Sequence, residues 1–175
     1  MVYAAAFSGF YMAMLLVLFA LIFRPVGFDY RSKLEDARWR EAWDWGLFAG
    51  SAVPALIFGV AFGNLLQGVP FHLDEFFRVH YEGSLFTALL PLLNPFALLC
   101  GVISFAMYSL HGAMWLQLRA DEIIATRAQA VIRILGLIVM VCFSLAGVWV
   151  AHGIEGYRIV SQSDIAGVPN PLGKE

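Results

Sequence analysis

Four long stretches of this 175-residue chain carry no charged side chain, at about 1–23, 45–66, 92–118 and 134–152. Charge is scarce overall, at 14% of residues, well below the roughly one quarter of ordinary globular domains, while apolar residues reach 61%. Cysteine is nearly missing. Cys100 and Cys142 both fall inside charge-free stretches and predict neither a disulfide nor a metal site. CxxC, HExxH, GxSxG and Walker-type patterns are absent, so soluble enzyme classes find no support. A net charge of −2 implies no nucleic-acid partner. With mean hydropathy at +0.75, these absences exclude a soluble domain.

What remains is an all-α, polytopic membrane protein. Each charge-free stretch borders on the roughly 20 residues that a helix needs to cross about 30 Å of hydrocarbon. Four transmembrane helices are expected, at about 1–23, 44–66, 95–118 and 131–152, forming a single membrane domain over 1–175 with a tail at 153–175. Eight of the eleven basic residues fall in the connections 24–44 and 119–133, which places both on the cytoplasmic side. Both chain ends then face outward. Met1–Phe23 has no positive leading region and no small-residue cleavage site, so it is not a signal peptide. The expectation is that further helices precede it, and that the polar stretch 161–175 is likewise cut short.

Local signals mark the span ends. Arg24 stands where the first apolar stretch meets water, Pro25 and Gly27 turn the backbone, and Asp29, Arg31 and Lys33 follow. Ser32 with Glu35 three residues on gives a capping-box pattern, which predicts a short surface helix over 32–43. Trp39, Trp43 and Trp45 would anchor the second span at the interface. That span holds Gly46-xxx-Gly50 and Gly59-xxx-Gly63, spacings that let helices approach closely in lipid. Pro54 between them is expected to kink it. Asn64 and Gln67 close it, either as helix caps or buried in a subunit interface. Phe71, Phe76, Phe77 and Tyr81 suit a short outer surface helix. Asn94-Pro95 starts the third span, the helix of which is expected to run on through 119–133, and Gly153 suits a C-cap.

Chemistry is sparse. His111 and His152 belong to spans but lie at different depths, so they could not face each other across one haem, and His72 and His80 lie in the outer loop. His111 reads first as a hydrogen-bond partner of a neighbouring helix. This argues against a di-haem electron carrier. A stand-alone transporter or channel would need ionisable groups within the membrane, and apart from His111 the spans hold none. Arg24 reads as a snorkelling interface anchor or, alternatively, as a fixed cation paired with a carboxylate or cofactor propionate on another subunit.

FRPVGFDYRSK at 23–33, WDWGLFAGSAVPALIFGVAFGNLLQGVPF at 43–71, CFSLAGVWV at 142–150 and NPLGKE at 170–175 resemble subunit II of the cytochrome bd-type quinol oxidases. MVYAAAFSGFY resembles the start of that family's third helix. The resemblance implies membership of a terminal oxidase of the bacterial cytoplasmic (inner) membrane, which oxidises quinol and reduces dioxygen to water. It implies haems b and d on subunit I, no haem on this chain and, in some members, a structural quinone and a contribution to a proton path. Subunit I, a small accessory subunit, quinone and membrane lipid are the implied partners. The family's subunit has eight helices, and this chain resembles only the third to sixth, as part of a larger helical subunit. On the family pattern Arg24 is the matching position of most functional interest, with Asp29 beside it.

Overall fold

The computed structural model describes residues 7–68, 72–73, 79–80 and 90–154. Four long helices account for most of them: α1 Tyr11–Arg31, α2 Ala37–Gln67, α3 Pro95–Arg119 and α4 Glu122–Gly153. All four are long and apolar enough to cross a membrane. In hydrocarbon every backbone polar group must be paired within the segment, which is why such sequences take the helical form.

α1 departs from its expected end. Pro25 and Gly27 do not turn the chain, and the helix continues through both to Arg31. Pro25 withdraws one backbone donor, a loss that membrane helices tolerate. Gly27 is small because α2 lies against it: a Cβ there would sit 2.7 Å from Leu47 Cδ2 and 3.5 Å from Trp43. The Pro25–Gly27 pattern is thus a site of close helix contact, and the helix ends at Arg31.

The connection to α2 is short. Ser32 caps the end of α1 instead of starting a surface helix, and Lys33 N donates to the carbonyl of Tyr30 at 3.2 Å. Asp36 is the N-cap of α2, its side chain accepting from Arg38 N at 3.1 Å. The separate helix expected over 32–43 is therefore replaced by the first turns of one 31-residue helix. α2 ends at Gln67, and its C-cap is Gly68, whose φ of +85° is a backbone setting that glycine adopts without steric cost.

Between α2 and α3, His72–Leu73 and Val79–His80 pair as antiparallel strands β1 and β2, with His72 opposite His80. A continuous helix does not run through those residues. Phe71, Phe76, Phe77 and Tyr81 lie outside the described residues. α3 begins at Pro95, where its missing N–H costs nothing, behind the N-cap Asn94. The helical extension over 122–133 belongs to α4, not α3: the helix is interrupted at Ala120–Asp121 and α4 then runs unbroken from Glu122. Gly153 is the last helical residue and Ile154 the C-cap, so Gly153 is not the cap itself.

The described helices pack in sequence, α1 on α2, α2 on α3 and α3 on α4. Most residues buried between them are alanine and glycine. Where lipid is as apolar as a leucine side chain, contact comes from close backbone approach, and small residues permit it.

Candidate functional site

Where α1 hands over to α2, the two helices are fastened by groups thirteen residues apart in sequence. Arg31 Nε donates to Asp44 Oδ1, and Nη2 donates to Oδ2 at 3.1 Å. Beside this ion pair, Trp39 Nε1 donates to the Tyr30 carbonyl at 2.9 Å, Trp43 stacks on Tyr30 with ring centroids 5.9 Å apart, and Lys33 Nζ lies 4.5 Å from the Tyr30 ring centroid. Rings of this kind gather where membrane meets water. The pairing of these two helices sets the height of Arg24. It lies seven residues before Arg31, about 10 Å further along α1 toward the middle of the helix row.

Arg24 is exposed, and its stem runs over α2: its Cγ is 3.3 Å from where a Cβ on Gly50 would stand. Asp29 is also exposed. Five residues along one helix turn them about 140° apart, so α1 does not bring the two together. Among the described residues the one ion pair is Arg31–Asp44. That pair went unnoticed in the sequence, where nothing local links its members.

The four glycines of α2 differ in what they meet. A Cβ at Gly50 would lie 2.8 Å from the Ala20 carbonyl of α1. At Gly59 it would run into the Cys100 carbonyl of α3 and stand 2.7 Å from the Gly101 Cα. At Gly63 it would be 2.8 Å from the Ala97 Cα. Gly46 meets only Trp43 of its own helix, at 3.8 Å. Gly50 thus faces one neighbouring helix, Gly59 and Gly63 face the other, and Gly46 faces neither.

Asn64 is the one buried polar side chain among the described residues. Its Nδ2 donates to the carbonyl of Val60, one turn back, at 2.8 Å and to the carbonyl of Leu92 at 2.7 Å. Its Oδ1 accepts from Asn94 Nδ2 at 3.0 Å, while Asn94 Oδ1 accepts from Ala97 N at 2.7 Å. Leu92 itself is buried with Phe10, Ala13 and Ala61. Asn64 is therefore no helix cap; it joins α2 to the turn before α3. Gln67, three residues on, is exposed at the end of α2.

A groove of about 670 Å³ runs between α2, α3 and α4. This lies inside the range of roughly 300–1,000 Å³ usual for small-molecule sites. Phe58, Phe62 and Phe96 supply apolar wall, and the polar groups come from Ser104, Tyr108 and His111 of α3. Their spacing of four and three residues puts them on one helix face. Sequence reading had singled out His111 alone; the spacing was the signal it passed over. His152 lines a separate recess with Pro95 and Trp149. Among the described residues no three His, Cys, Asp or Glu side chains gather as a metal site would require.

The comparisons with known proteins fit this helical frame. Cytochrome bd-I ubiquinol oxidase subunit 2 of Escherichia coli strain K12 is 57% identical over 175 residues, covering 100% of this chain and 45% of that protein. The probable cytochrome oxidase subunit 2 of Haemophilus influenzae is 54% identical over 174 residues, or 99% of this chain and 45% of that protein. Cytochrome bd ubiquinol oxidase subunit 2 of Bacillus subtilis is 30% identical over 145 residues, 82% of this chain and 40% of its own length. The chain thus spans less than half the length of these relatives. The family described as cytochrome bd terminal oxidase subunit II matches residues 1–171, and the chain belongs to that family.

Proposed function

We propose that these helices form part of the haem-free subunit of a quinol oxidase. They would pack beside a subunit I that carries haems b and d and reduces dioxygen to water with electrons from quinol. The observation that carries this reading is the 57% identity, over 100% of the chain, to the Escherichia coli subunit. The helix surfaces suit such a role. Close glycine contacts hold the helices to one another, while α4 keeps most of its surface uncovered. The basic connections at the ends of α1 and α3 favour a cytoplasmic position for that end of the row.

Within this role Arg24 is the cation best placed to meet a carboxylate or haem propionate of subunit I. Its stem is held against Gly50 and its head is exposed. Arg24→Ala in the full-length subunit, produced together with subunit I, is expected to lower quinol oxidase activity or haem content several-fold. Wild-type values for both would leave Arg24 as an interface anchor. The groove between α2, α3 and α4 fits a structural quinone. Its aromatic wall accommodates an apolar tail, and Ser104, Tyr108 and His111 would offer hydrogen bonds to the carbonyl oxygens of the head. A quinone bound there would complete the packing rather than join the electron path.

A further inference from the structure

We propose that Asn64 and Asn94 form a clasp that fixes the turn before α3 to the outer end of α2, seating Leu92 between α1 and α2. Three observations support it. Asn64 is buried, and both its nitrogen and its oxygen are engaged, the nitrogen twice. The two partners outside its own helix, the Leu92 carbonyl and Asn94 Nδ2, both belong to this turn. Leu92 is buried against Phe10 and Ala13 near the start of α1, so one side chain of α2 governs a contact between α1 and the stem of α3.

The chemistry is specific to an amide. A carboxylate at 64 would keep the acceptor but lose the donor to Leu92, and an apolar residue would lose both. In a low-dielectric setting the loss leaves a buried carbonyl without a partner, which costs more than the hydrogen bond contributes when made. Asn94 does two separable things. Its oxygen caps α3 and its nitrogen holds Asn64. A serine at 94 retains a cap and removes the Asn94 link of the clasp, leaving Asn64 on the Leu92 carbonyl.

The test uses the full-length subunit in its membrane complex, as wild type, Asn64→Leu, Asn94→Ser and the double variant. Amide hydrogen exchange is followed in peptides covering 90–97, together with the thermal midpoint. Exchange in 90–94 is expected to rise about five- to tenfold in Asn94→Ser, the scale of one lost hydrogen bond, and further in Asn64→Leu, which loses both links. The double variant should be no faster than the faster single one, because both changes break the same link. Wild-type protection of 90–94 in Asn94→Ser would overturn the clasp even if Asn64→Leu failed to assemble. Additive effects in the double variant would overturn it as well, by showing that the two amides act independently.

Discussion

The contact of α2 with α3 and the outer face of α4 are made of similar residues and end up differently. Along α3, 33% of the apolar window is buried, whereas along α4 the share is 6%. Gly59 and Gly63 touch the backbone of α3, but among the described residues no other helix comes within 4 Å of a Cβ placed on Gly136. A glycine in a membrane helix therefore says that close approach is allowed, and only the neighbouring backbone says whether it is used. One helix pair is finished within these residues. The other surface is open.

Alanine substitutions grade that contrast. Gly59→Ala carries the largest expected effect, because the new methyl would run into the Cys100 carbonyl and the Gly101 Cα, neither of which can rotate away. Overpacking of this kind costs about 1–3 kcal/mol, and the upper end is expected, read as a drop in the thermal midpoint of the purified complex. Gly50→Ala should be milder, about 1 kcal/mol, since one carbonyl at 2.8 Å and the movable stem of Arg24 are in the way. Gly136→Ala should be neutral or gain up to ~1 kcal/mol from better helix propensity. A loss at Gly136 as large as that at Gly59 would break the comparison, by showing that the complete protein covers α4 after all.

Much of the helical frame was legible in the sequence because hydrocarbon thickness and charge exclusion act on composition. The start of α3 was equally legible, as Asn94 and Pro95 state their roles locally. The end of α1 was not. Pro25 and Gly27 form a turn pattern, and only the presence of Leu47 and Trp43 on another helix reveals that Gly27 was making room. Ser32 and Glu35 match a capping box, yet Asp36 does the capping. Gly46 and Gly59 open identical spacings on one helix, and nothing in the spacing tells that Gly46 meets no second helix. The partners Asn64 and Asn94, like Arg31 and Asp44, are remote along the chain, so their union belongs to the fold and not to any window of sequence.

One consequence of helix length reaches beyond packing. α2 and α4 have 31 and 32 residues, about 46 and 48 Å of rod against a hydrocarbon layer of about 30 Å. Their charged turns, Arg38 to Asp44 and Glu122 to Arg133, lie at the same end of the row. A bilayer measures about 40–45 Å with its headgroups included, so rods of this length would carry those turns into the headgroup layer. A water-soluble body approaching this side would then meet helix ends and arginines set among the headgroups, and not bare lipid.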